Sequence, residues 1–75
     1  MDNKHYDDYV LLGLNIVHYR KSKGFSQAGL ADRLNINSSH LSRIESANTG
    51  LSLNVLFEIA EVLQVPIHKF FEFKD

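Results

Sequence analysis

Apolar residues recur at spacings of three and four along most of the chain and nowhere alternate over a strand's length, which predicts an all-helical protein. A first helix is expected from Asp8 to Lys23, capped by Asp7 or Asp8. Its inward face would carry Val10 or Leu12, then Ile16, then Tyr19 or Arg20, and Gly24 would stop it. Gly13 inside this helix costs about 1 kcal/mol against alanine, so close packing on a neighbour is its expected use. Ser26 would cap a short second helix ending near Leu34, with Gly29 where a capping box has its acid. Asn35 is the expected turn residue, because asparagine tolerates a left-handed backbone. A third helix would start at Asn37 as cap and run to about Ser46, with only Leu41 and Ile44 clearly inward.

After a loop from Ala47 to Leu51, Ser52 would cap a fourth helix with Leu53, Leu56, Phe57, Ala60 and Leu63 on one stripe and Ile59 beside it. Pro66 suits the first turn of a fifth helix. Phe70 or Phe71 would close the core, leaving one of Ile67, Phe71 or Phe73 for a dimer contact. Residues 1–7 read as an N-terminal segment and 8–73 as one compact five-helix domain.

Composition narrows the function. The chain has 75 residues, 44% of them hydrophobic and 23% charged, which marks a small globular protein rather than a disordered one. So small a core favours a partner subunit. With no cysteine there is no disulfide and no thiolate metal site. No apolar run reaches the ~18 residues of a membrane span, so a cytoplasmic protein is expected. The four histidines, His5, His18, His40 and His68, show no metal-ligand spacing. No nucleophile–base pair or phosphate loop is visible, so neither an enzyme nor a cofactor or small-molecule ligand is expected.

The net charge is −1, which by itself argues against nucleic acid. It is the sum of two unlike parts. From His18 to Arg43 five basic residues face one acid, a net of +4, and the remainder holds three basic residues and eight acids, a net of −5. The helix pair at Ser26–Leu34 and Asn37–Ser46 lies almost wholly in the basic part, and two short helices joined by a tight turn form a helix-turn-helix.

The run Leu12-Gly13, Ile16, Arg20, Gly24, Ser26-Gln27, Leu30-Ala31, Leu34, Leu41-Ser42, Ile44-Glu45 resembles the DNA-binding domain of the lambda repressor and Cro type, the XRE family. Ser52, Leu56, Ile59-Ala60, Leu63, Val65 and Phe70-Phe71 continue the pattern. The chain departs from it at Ala47, where the family commonly has glycine, at Leu51, often proline, and at Val17, often arginine.

The resemblance implies that Ser38, Ser39 and Arg43 face base edges in the major groove, Arg43 being suited to guanine O6 and N7. Read without that register, Arg43 is an ordinary surface arginine, and the two serines are first-turn residues. Gln27, Asn37, Ser46, Asn48 and Lys23 would meet the DNA backbone, with Gln27 also bracing the recognition helix. Arg20 and Glu45 match a partly buried ion pair.

The implied function is a sequence-specific transcriptional regulator, by default a repressor. It would bind double-stranded DNA as a homodimer on a palindrome, with recognition helices about 34 Å apart. The compact length also resembles restriction–modification controllers and small phage repressors, implying a bacterial or phage, nucleoid-associated setting. The alternative is an antitoxin-type protein-interaction module, for which Met1 to Tyr9 is the candidate contact segment.

Overall fold

The structure, a computed structural model, describes residues 4–73. Helix α1 spans Tyr6–Ser22, α2 Gln27–Leu34, α3 Ser38–Glu45 and α4 Leu53–Leu63, and a 3-10 helix follows at Ile67–Phe71. No strand forms among the described residues. Ile16, Leu30, Leu41, Leu56, Ile59, Leu63 and Phe70 are the large side chains removed from solvent, so every helix sends at least one into a single core. Tyr19 packs edge-on against the Phe70 ring, with centroids 5.3 Å apart. That contact ties the end of the chain to α1.

Three expectations are corrected. First, α1 begins at Tyr6, and its N-cap is His5, which makes no side-chain cap. Asp7 and Asp8 lie inside the first turn, where their charge faces the positive end of the helix dipole. Part of the expected N-terminal segment is therefore helix, and its residues 1–3 lie outside the described residues.

Second, the fifth element is a five-residue 3-10 helix and not an α-helix. Pro66 enters it in an extended conformation, φ −56° and ψ 139°. The run is too short for α-helical hydrogen bonding to outweigh the tighter turn.

Third, Leu53 and Phe57 are 62% and 54% exposed, not on the inner stripe of α4. At about 100° per residue, Ile59, Leu63, Leu56 and Ala60 share one arc of roughly 100°, and Leu53 and Phe57 fall on its flank. The core needs only that arc.

All four α-helices end the same way. Gly24, Asn35, Ala47 and Gln64 take left-handed backbone with φ of 83°, 61°, 62° and 56°. In each case the next residue's N–H returns to the carbonyl five residues back: Phe25 to Arg20, Ile36 to Ala31, Asn48 to Arg43 and Val65 to Ala60. This closes the orphan carbonyls of each last turn. Only one of the four positions has the glycine that such a turn favours. A non-glycine there costs roughly 1–2 kcal/mol. Gln64 is exposed. Gln64→Gly is expected to stabilise the fold by about 1 kcal/mol, read as a higher urea midpoint with an unchanged slope. Ala47→Gly should gain less, because the Ala47 methyl is buried and its burial is lost.

Candidate nucleic-acid interface

The helix pair α2–α3 is built by its ends. Ser26 Oγ accepts the Gly29 N–H at 2.9 Å, capping α2. A Cβ on Gly29 would stand 3.1 Å from that oxygen, so a side chain there crowds the cap. Asn35 turns the chain in the left-handed region. Asn37 Oδ1 then accepts the His40 N–H at 2.7 Å and starts α3. Leu30, Ala31 and Leu34 on α2, with Leu41 and Ile44 on α3, bury the inner faces.

A polar network fixes α3 from behind. Arg20 Nε donates to Glu45 Oε2 at 2.8 Å, and its Nη2 donates to Oε1 at 3.2 Å. Nη1 donates to the Phe25 carbonyl at 2.9 Å. Gln27 Nε2 donates to Glu45 Oε1 at 2.8 Å. Arg20 and Glu45 are only 6% and 7% exposed, so this two-pronged pair works at low dielectric. No buried side-chain nitrogen or oxygen among the described residues lacks a partner. One carboxylate thus joins α1, the entry to α2 and the end of α3. Its charge is cancelled inside the protein rather than shown to a ligand on the outer face.

On the outer face Ser38, Ser39 and Arg43 are exposed. Ser39 and Arg43 are four residues apart, hence one above the other on the same face of α3. The Arg43 guanidinium makes no hydrogen bond or ion pair to any described residue. Ser39 Oγ donates to Asn37 Oδ1 at 2.8 Å, which leaves its lone pairs as the part open to a ligand. The Asn37 oxygen therefore takes two donors, and its amide is left outward.

At the far end of α3, Ser46 Oγ donates to the Ser42 carbonyl at 2.9 Å and accepts from Asn48 Nδ2 at 3.0 Å. Lys23, just past α1, is exposed. Arg33 stands with its guanidinium carbon 5.8 Å from the centre of the Phe25 ring. Gln27 is half-buried, its amide directed to Glu45, so its side chain braces α3 from within.

Two features have no counterpart in the sequence reading. Asn15 Nδ2 donates to the carbonyls of Phe70 at 2.8 Å and Glu72 at 3.3 Å, across more than fifty residues. Leu53 and Phe57 form an exposed apolar pair on α4. Among the described residues no group of three or more His, Asp or Glu could hold a metal ion. No described helix is long and apolar enough to cross a membrane.

Residues 16–70, from the middle of α1 to the 3-10 helix, match the family model described as helix-turn-helix. The chain belongs to the helix-turn-helix family of the lambda repressor and Cro, or XRE, type. Within that family it is 36% identical over 66 residues to the HTH-type transcriptional regulator SinR of Bacillus licheniformis, covering 87% of this chain and 60% of that protein. To SinR of Bacillus subtilis (strain 168) it is 37% identical over 59 residues, covering 77% and 53%. The chain thus spans between about half and three-fifths of the length of these relatives. The solved restriction–modification controller C.AhdI from Aeromonas hydrophila superposes with a TM-score of 0.86 at 28% identity, over 92% of this chain and all of that one. SinR in complex with DNA superposes at 0.73 with 35% identity, over 81% of this chain and 98% of that one.

Proposed function

We propose that the protein is a DNA-binding transcriptional regulator, acting as a repressor, that docks α3 in the major groove of a palindromic operator as a homodimer. The observation that carries this reading is the construction of α3. Its inner side is locked by a buried three-residue polar network, while its outer side carries an unpaired arginine and short polar residues. Such a helix is rigid where it meets the protein and chemically open where it meets a ligand, which is what base readout requires.

Arg43 bonds a guanine edge. Ser38 and Ser39 make weaker or water-mediated contacts. Asn37, Ser46, Asn48 and Lys23, with Gln27 through its backbone N–H in the first turn of α2, hold the phosphate backbone and fix register. SinR's solved complex with DNA supports double-stranded DNA as the ligand. With Arg20 spent on Glu45, the stretch from His18 to Arg43 still holds Lys21, Lys23, Arg33 and Arg43 against Asp32 alone, an excess of +3.

The dimer rests on the flank of α4. Leu53 and Phe57 are neighbours on one helix face, and Leu53 lines a groove with Phe71, which is 48% exposed. Each side chain leaves on the order of 100 Å² open, about 300 Å² of contiguous apolar surface per protomer. A standard interface buries about 800 Å² per partner. The patch is thus the apolar centre of a small interface, one that closes weakly in solution and firmly on two half-sites. Of the other residues expected at the contact, Ile67 packs against the core, and Phe73 lies in a separate groove with Leu11 and Leu14.

The experiment is selection of bound duplexes from a random library, followed by titration of the selected site. Wild type should enrich a palindrome and lose affinity steeply as salt rises. Arg43→Ala should cost about 1–3 kcal/mol at one base pair per half-site and relax the preference there. Unchanged preference would remove Arg43 from the readout, and no enrichment at all would overturn sequence-specific binding.

A further inference from the structure

The chain's last described residues cross α1. Phe70 is fully buried and anchors the crossing at one point. Beyond it, Glu72 is extended, and the rings on either side of it go to different places. Phe71 lines the groove with Tyr9, Leu12, Leu53 and Leu56, whereas Phe73 lines the groove with Leu11, Leu14 and His18. A single anchor at Phe70 would let this segment pivot. Asn15 supplies a second attachment. Its amide nitrogen donates to the carbonyls of residues 70 and 72, the two that flank Phe71. The 70–71 and 72–73 peptide units, one immediately before Phe71 and one a residue beyond it, are therefore held against α1, and Phe71, caught between them, lines the groove on the α4 side. Lys69 and Glu72 also lie 3.6 Å apart, but both are largely exposed, and their pairing is weak.

We propose that Asn15 is a positioning residue for self-association: by clamping the backbone around Phe71 it completes the apolar face that Leu53 and Phe57 begin, and a second copy of this chain covers that face. This rests on the homodimer reading above. Asn15 touches neither the partner nor DNA. It acts by pre-ordering Phe71, so that the segment's freedom is lost on folding and not on association.

The test is a double-mutant cycle on the dimer dissociation constant, measured by sedimentation equilibrium of the full chain, with thermal melts alongside. Phe71→Ala, at an exposed position, should weaken the dimer about tenfold or more. Asn15→Ala should weaken it by a similar factor. The double variant should be no worse than Phe71→Ala alone, because the clamp has nothing left to position. Asn15→Ser, which keeps a hydroxyl donor, serves as the milder variant and should fall between wild type and Asn15→Ala. Phe73→Ala, in the other groove, should leave the constant unchanged.

If Asn15→Ala and Asn15→Ser lower the melting temperature but leave the dimer constant untouched, the residue only stabilises the monomer and the proposal fails. Additive effects of Asn15→Ala and Phe71→Ala would also defeat it. A wild type that stays monomeric at every concentration, with and without operator, overturns the dimer reading and this inference with it.

Discussion

Arg20→Met should destabilise the protein by about 3–5 kcal/mol, because it leaves the Glu45 carboxylate buried without its cation. Domains of this kind hold only about 5–15 kcal/mol in all, so the variant should sit near the edge of folding. Each 1 kcal/mol moves the midpoint by roughly 4–8 °C in a chain this short, which predicts a fall of at least about 12 °C. The Gln27 amide remains bonded to Glu45, but a neutral donor compensates only part of the charge. Glu45→Met should be about as costly, for the mirror reason: Arg20 keeps its bond to the Phe25 carbonyl and loses its counter-charge. The double variant Arg20→Met/Glu45→Met should recover most of the loss, since replacing a whole buried pair with apolar side chains is often neutral. Urea unfolding of the four proteins checks this. A loss under 1 kcal/mol for either single variant would mean that the pair is solvated.

That pair also shows what was legible in the sequence. Each residue stands on an otherwise apolar inner helix face, where an unpartnered charge is too costly to keep, and the two occupy one site in the structure. The all-helical fold was legible because the spacing of Ile16, Leu30, Leu34, Leu41, Leu56 and Leu63 repeats with a helical period. So were the caps at Ser26, Asn37 and Ser52, whose short oxygens have few other uses before an apolar run.

The rest depends on contacts that no local pattern encodes. Periodicity locates a stripe on α4 but not its edge, so Leu53 and Phe57 were read as core and stand outside it. Ala47 was visible as a departure from the family's glycine. That the backbone keeps the left-handed turn all the same follows from the hydrogen bond between the Asn48 N–H and the Arg43 carbonyl. Asn15 reads as an ordinary polar residue in a helix, because its partners lie 55 and 57 positions away. On α3 the positions of Ser38, Ser39 and Arg43 are clear, but a chain without DNA carries no record of the bases they would meet.

Gly13→Ala carries the second large expected effect, and its sign runs against helix propensity. In an isolated helix the change would gain about 1 kcal/mol. Here a Cβ would be driven onto the carbonyl oxygen of Glu45 and would stand 2.9 Å from its carbon and 3.2 Å from the Ile44 oxygen. All three atoms are backbone at the end of α3, so no side chain can rotate out of the way. Helix α3 must move off α1, or α1 must bend. Overpacking costs roughly 1–3 kcal/mol and sometimes more, and contact with fixed backbone belongs at the upper end, so a net loss of up to about 2 kcal/mol is expected once the propensity gain of about 1 kcal/mol is subtracted.

The displacement also pulls at the Glu45 carboxylate that Arg20 and Gln27 hold, because the crowded carbonyl belongs to the same residue. Stability and DNA affinity should therefore fall together in Gly13→Ala, whereas Arg43→Ala should lose affinity at unchanged stability. Thermal melts and operator titrations on the two variants separate the cases. A Gly13→Ala protein as stable as wild type, with full affinity, would show that α1 and α3 do not approach this closely in solution.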